Sequence, residues 1–360
     1  MPSRSERLFA ALGERGADAF ISGDRPNQLY LLDHPDPSTV ISRPNCAAVV
    51  FAASETVVFP GIWISNACRD MLENCEVVAN EKGDSPPVEQ LIERLAKVGY
   101  KKIITENAGL AEAIGKGVAG TAVEVDDIAR ALRRTKDERD LAGMREAARV
   151  ADLGMSTAFA VIRPGVTCGE VIAEGTSAML KAGAESVAMA PAAGVGTYYL
   201  DSGEDPRRVI AEGDMVFIDM GIWVHGYLGD ITRAGIVGEG TADQRDLLKT
   251  VQEAYTLGSQ AMVPGADGKV IYQSVVDHFA AKGWDKYYVH HLSHGLGLGG
   301  DWPRIAPDGA DILEVGDALS CEPGVYIPGL GGARVENMIY VDNGGPEELT
   351  KSPLDLPMGL

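Results

Sequence analysis

Residues 216–235, VFIDMGIWVHGYLGDITRAG, alternate apolar side chains and glycines as a buried hairpin does, yet they carry Asp219 and Asp230. A fold that buries this stretch must also compensate two negative charges, because a buried unpaired carboxylate costs on the order of several kcal/mol. A second stretch poses the same problem. EGDMVFID and VGDALSCE share Gly-Asp, four residues and an acid, so Glu322 stands to Gly316 as Asp219 stands to Gly213. Each acid leads into a hairpin-like segment, the second being CEPGVYIPGLGGARVENMIYV.

A symmetric turn centred on Val224 and His225 places Asp219 opposite Asp230. The glycines of the second segment centre its turn near Gly329, which places Glu322 opposite Glu336. Strand parity puts Arg334 on the face of Glu336 and turns Arg233 away from the face of Asp230. Like charges facing each other destabilise a sheet, and these two arginines are too few for four acids. Two divalent cations balance them in formal charge. The stretch YYVHHLSHGLGLGGDWP supplies imidazoles, with His290 and His294 four apart and glycines that let backbone pass close to a buried centre. Oxygen-rich ligation with one imidazole suits Mn, Fe, Co or Zn and argues against a thiolate site. Paired metals activate a bridging water and polarise a carbonyl, so the expected reaction is hydrolysis of an amide or peptide bond. Taken singly, each acid reads as a turn residue. HGLGLGG lacks the preceding strand and following acid of a nucleotide-binding run. His225 and His278 read as surface or core histidines.

The first third alternates short apolar runs with helical patterns. SERLFAALGERG, SPPVEQLIERLAKVG (Ser85 as N-cap) and GLAEAIGKG have helical spacing. ADAFISG, CAAVVFAA, TVVFPG, CEVVAN and KKIITEN have the length and composition of strands. This order predicts an α/β domain over residues 1–127. Dense charge with helical periodicity then runs to Pro164 and Gly165, and the remainder, residues 128–360, mixes helices with Val- and Ile-rich strands as an α+β domain.

A formal charge of -20 excludes nucleic acid and anionic membranes as natural partners. No apolar run approaches the roughly 20 residues needed to span a bilayer. The start lacks the pattern of a signal peptide. Five scattered cysteines (Cys46, Cys68, Cys75, Cys168, Cys321) suggest neither a disulfide framework nor a zinc knuckle. The expectation is a cytoplasmic protein with reduced thiols.

IDMGIWVHGYLGDITR, SHGLGL, EPGVYIPG and GARVENMIYV together resemble the creatinase, prolidase and methionine aminopeptidase family, with its pita-bread fold. The resemblance runs from about residue 128 to 350, with RTKDERDLAGMREAARVAD and IRPGVT matching its opening helices. The N-terminal third, with PNQLYLL, is similar to the smaller domain of prolidases, aminopeptidases P and creatinases. The resemblance implies Asp219, Asp230, His294, Glu322 and Glu336 as ligands of two divalent metal ions. It implies Glu322 as the group handling the proton of the bridging water. It further implies His290 near the substrate, Arg334 beside the last ligand, and Thr232 as a hydroxyl orienting a ligand. Two positions depart from the prolidase pattern: a histidine expected about 17 residues before Asp219 is replaced by Asp201 or Ser202, and one expected seven residues after His294 is replaced by Asp301. Tyr198, Tyr199 or Trp302 would then substitute for lost substrate contacts.

The resemblance implies a Xaa-Pro dipeptidase or aminopeptidase, acting on a dipeptide or other small molecule, as a homodimer. An acidic pocket at Asp301 would instead suit a small cationic substrate, as in creatinases, ectoine hydrolases or a lyase of dimethylsulfoniopropionate. A silent binding protein is the third reading, disfavoured by five retained ligands.

Overall fold

The computed structural model describes residues 2–32, 46–62, 64–79, 87–199, 205–356 and 358–359. They form two compact units, Met1–Arg133 and Arg134–Leu360. The helix Ile128–Arg134 falls at the division.

In the first unit, strands β1 (Ala19–Ser22), β2 (Cys46–Ala52), β3 (Glu55–Pro60), β4 (Glu76–Val77), β5 (Lys102–Thr105) and β6 (Ala122–Val125) form one mixed sheet in the order β4-β3-β2-β1-β5-β6. β1 is buried on both faces, and its four residues are correspondingly apolar or small. The helix Pro87–Val98 buries Leu91 and Leu95, one turn apart, in the core under β1 to β3 and β5. Ser85 lies outside the described residues. Ser3 caps the first helix, Arg4–Glu14, in a reciprocal pair with Glu6.

The second unit repeats a plan. Helix Glu138–Val161, capped by Asp137, leads through a turn at Gly165 into helix Cys168–Lys181. Helix Ala242–Gln260 leads through a turn at Gly265 into helix Gly268–Ala280. The first pair is followed by β7 (Ser186–Ala193), β8 (Met215–Val224) and β9 (Tyr227–Ile236), which form a sheet in that order. The second is followed by β10 (Ser293–Gly295), β11 (Asp301–Ala306), β12 (Gly309–Ala310), β13 (Ala318–Cys321), β14 (Gly324–Ile327), β15 (Gly331–Arg334), β16 (Asn337–Asp342) and β17 (Gly345–Glu348). Six of these form the sheet β12-β11-β10-β13-β16-β17, and β14 pairs with β15 alone.

The echo seen in the sequence has matching hydrogen bonds. Gly213 N donates to Val237 O at 2.8 Å and Gly316 N to Val341 O at 2.9 Å. Val237 N donates to Asp214 O at 2.9 Å and Val341 N to Asp317 O at 2.8 Å. The turns agree too, with Gly165 N donating to Ile210 O and Gly265 N to Leu313 O. Gly213 and Gly316 both take positive φ, 80° and 94°, the left-handed region that glycine enters without steric cost. Each half therefore starts the strand that leads to its acid from the same backbone device.

The first hairpin corrects the expected register. Its turn is His225-Gly226, both at positive φ (49° and 80°), and Val224 pairs with Tyr227. Two left-handed residues make the tight turn that matches strand twist. Asp219 therefore lies opposite Thr232 and Asp230 opposite Gly221, so the aspartates are diagonal neighbours on one face rather than directly opposed. In the second hairpin Gly324 pairs with Arg334 and Cys321 with Asn337, so one register, centred on Gly329, holds on both sides of Glu322 and Glu336.

Candidate metal centre

Asp219, Asp230, His290, His291, His294, Glu322, Arg334 and Glu336 line one cavity of about 390 Å³. Five backbone segments deliver them. β8 and β9 carry the aspartates, β10 and the turn before it carry the histidines, and the other two segments carry the glutamates. Glu322 and Glu336 sit where the ladders of β13/β16 and β14/β15 interrupt each other. Their backbone amides are claimed by other segments, Glu322 N by Leu292 O at 2.9 Å and Glu336 N by Thr232 O at 3.0 Å. These bonds tie both glutamates to the segments that bear the other donors.

Glu322 Oε1 accepts from Ser320 Oγ at 2.9 Å and from His291 Nε2 at 3.0 Å. Ser320 Oγ in turn accepts from His294 N at 3.0 Å, so one hydroxyl fixes two donors of the site. Burial works against the Glu322 charge, but the His291 hydrogen bond and the charges of His294, His291 and Arg334 outweigh it and hold the carboxyl down to about 2. Thr232 Oγ1 lies 2.8 Å from Glu336 Oε2 and 3.2 Å from Asp219 Oδ1. Arg334 pairs with Asp219 and donates to Tyr326 Oη at 2.9 Å.

His294 Nδ1 faces Gly295 O at 3.3 Å, which assigns the ring proton to Nδ1. Nε2 then turns its lone pair toward Asp230 Oδ2 and Glu322 Oε1, each 3.4 Å away. Such an arrangement calls for a cation between them, a proton or a metal. Burial alone would lower the His294 pKa, but Asp230 and Glu322 hold it up at about 9. Burial pushes Asp230 above the usual carboxylate range despite His294, with Asp219 and Glu322 adding to the rise. Glu336 is raised well above that range by burial and then by Asp230, Glu322 and Asp219. Four carboxylates and one imidazole with a free lone pair thus fit divalent ions of the Mn, Fe, Co or Zn kind.

His290 faces the same cavity but is differently engaged. Its Nδ1–H donates to His291 O at 2.7 Å and its Nε2 accepts from Tyr326 Oη at 3.0 Å. Burial lowers its pKa to about 4, so the ring is neutral at physiological pH. Tyr326 and His291 were not singled out in the sequence. An apolar alternation gives no hint that Tyr326 joins Arg334 to His290, and His291 was eclipsed by its neighbour.

Other expected residues lie elsewhere. Arg233 is buried and donates to the carbonyls of Thr232, Glu336, Ser352 and Pro353, away from the cavity. Asp301 is buried on β11, 3.2 Å from the equally buried Lys136 Nζ, so its charge is compensated rather than offered to a cationic substrate. The glycine run serves this packing: a Cβ on Gly297 would meet Asp301 Oδ2 at 2.5 Å. Tyr198 is half-buried, Tyr199 and Trp302 are exposed, and none of the three lines the cavity. His225 is an exposed turn residue, and His278 is half-buried with Nε2 3.2 Å from Thr250 O. Asp201 and Ser202 lie outside the described residues.

The sequence is 32% identical over 235 residues to a Xaa-Pro dipeptidase of Pyrococcus furiosus, covering 65% of this chain and 68% of that protein. The structure resembles that of a Xaa-Pro dipeptidase from Bacillus anthracis with a TM-score of 0.86 at 27% identity, covering 99% of both chains. It resembles the prolidase from Pyrococcus horikoshii with a TM-score of 0.84 at 25% identity, covering 98% of this chain and 99% of that one. These likenesses identify the two-domain architecture as an α/β N-terminal domain followed by a pita-bread domain. The sequence pattern of metallopeptidase family M24 matches residues 142–343, the span that carries every residue of the cavity, and the chain belongs to that family.

Proposed function

We propose that this chain is a dinuclear-metal-dependent peptidase of the Xaa-Pro dipeptidase or aminopeptidase P type, with Met1–Arg133 as its prolidase-type smaller domain. The observation that carries the reading is the convergence of Asp219, Asp230, His294, Glu322 and Glu336 on one cavity. The relatives named above support the substrate class.

Asp219, Asp230, His294, Glu322 and Glu336 would hold two divalent ions. When bound, such ions supply Lewis-acid polarisation of the scissile carbonyl and an activated water. The protein's own groups do the rest. Glu322 is ionised at neutral pH, the form that accepts a proton from the attacking water and returns it to the leaving amine. Ser320 keeps that carboxylate aimed at His294. Arg334 braces Asp219, and His290, neutral and engaged at both nitrogens, positions Tyr326 beside Arg334. Asp301 gives no support to a small cationic substrate, because Lys136 already answers its charge. A homodimer and a cytoplasmic location complete the proposal; among the described residues no helix is long and apolar enough to cross a membrane.

The test is hydrolysis of Xaa-Pro dipeptides by protein loaded with Mn(II) or Co(II), beside the variant Asp230→Ala. Turnover that disappears in the variant together with bound metal supports the reading. A variant with normal metal content overturns the ligand assignment, and a metal-loaded wild type inert on every Xaa-Pro dipeptide overturns the substrate class.

A further inference from the structure

His291 is the cavity-lining imidazole to which the five-donor scheme gives no task. Its Nε2 stands 3.0 Å from Glu322 Oε1, the oxygen that His294 Nε2 approaches at 3.4 Å. The two rings meet edge to face with centroids 5.6 Å apart. His291, His294 and Glu322 each turn one ligand-type atom into a common space, and these atoms lie within 4.8 Å of one another. Asp230, His294 and Glu336 form a second such group, which shares His294 with the first. Ser320 already orients Glu322 through the same oxygen, at 2.9 Å, so Glu322 has an anchor other than His291. The His291 side chain is 35% exposed, so core packing does not account for an imidazole at this position.

We propose that His291 is a metal ligand in addition to those five donors, so that the Glu322 side of the centre offers two imidazoles while the other side stays rich in carboxylate. The proposal rests on the dinuclear reading above. Its chemical consequence is an uneven centre. Imidazole suits Zn, Co and Ni, whereas carboxylate suits Mn and Mg. One seat therefore favours Zn(II) or Co(II), and the other accepts Mn(II) more readily.

The experiment uses the full chain loaded with Co(II). A ligating imidazole keeps one ring N–H, which appears in the proton NMR spectrum in water as a strongly shifted exchangeable resonance. Two such resonances are expected in the wild type, and one in both His291→Ala and His291→Gln. Titration calorimetry is expected to show Co(II) and Zn(II) affinity at one seat falling at least about tenfold in both variants, and Mn(II) affinity falling less. Glutamine can still donate a hydrogen bond to Glu322. Wild-type affinity in His291→Gln, or two resonances retained in His291→Ala, would therefore make His291 an anchor of Glu322 and overturn the proposal. A single resonance in the wild type overturns it as well, and needs no variant to fold. A wild type that takes up no Co(II) overturns the metal centre itself, which separates that failure from the failure of His291 alone.

Discussion

Thr232 and Glu336 are joined twice: Glu336 N donates to Thr232 O at 3.0 Å, and Thr232 Oγ1 lies 2.8 Å from Glu336 Oε2. The backbone bond is an isolated bridge that links β9 to the segment between β15 and β16. The side-chain bond reaches over the same junction into the cavity. Thr232 Oγ1 also accepts from Arg334 Nε at 3.4 Å, so its proton goes to a carboxylate. Its hydroxyl thereby orders two of the proposed ligands, Asp219 and Glu336, without being one.

Thr232→Val keeps shape and loses the hydroxyl. Metal affinity is expected to fall about 10- to 100-fold, the usual cost of removing a group that orients ligands. Thr232→Ser is expected to stay near the wild type. Calorimetric titration with Mn(II) on both variants checks this, and a Val variant with unchanged affinity would remove Thr232 from the site.

The Lys136–Asp301 pair predicts a stability effect. Removing one partner of a buried ion pair costs about 3–5 kcal/mol, so Asp301→Ala is expected to lower the urea midpoint strongly. Asp301→His leaves the Lys136 charge without its carboxylate. It is expected to destabilise the protein without raising Xaa-Pro cleavage. Replacing both partners by apolar residues of similar size is expected to recover most of the loss.

The turn at His225-Gly226 sets where Asp219 and Asp230 stand. Gly226 has φ of 80°, and Gly226→Ala is expected to cost about 1–2 kcal/mol, the price of a left-handed non-glycine residue. His225→Asn, with a residue that tolerates this region, is expected to be neutral or stabilising. Urea denaturation of the two variants distinguishes them by sign.

Glu106 predicts a pH dependence within the first unit. Its Oε1 accepts from Gly23 N and Asp24 N, both at 2.7 Å, while Oε2 has no partner among the described residues. Burial raises its pKa from 4.5, with Asp127 adding to the rise and the backbone bonds opposing it. A raised carboxyl contributes stability that is complete below the unfolded value and is lost as pH rises through the folded one. The stability of wild type relative to Glu106→Gln is therefore expected to fall as pH rises from 4.5 toward neutrality. A difference that stays flat, or grows with pH, contradicts this account.

Much of the site could be read from residue spacing, and the exceptions have physical reasons. The glycines around Gly329 announce a turn, and its centre fixes both glutamates. His225 hides the other turn, because non-glycine residues seldom enter the left-handed region and its neighbour Val224 looks equally central. The face shared by Asp219 and Asp230 was still legible, since parity survives a shift of pairing by two. His291 was not legible, because side-chain alternation holds only in strands and His291 precedes β10. Nothing in the spacing joins Lys136 to Asp301, which meet only through tertiary structure. The helical pattern running to residue 161 likewise hides a break, since Asp137 caps a new helix.

The common register about Gly329 has a consequence for how such a centre can be lost. Strand alternation has a period of two, so one residue inserted on one side of that register, between Cys321 and Glu322, would turn Glu322 out of the cavity unless a bulge absorbed it. Spacing along the strands that lead to the acids is therefore as much a part of the catalytic inheritance as the acids themselves, and a descendant could retire its chemistry there while every acid stayed in the chain.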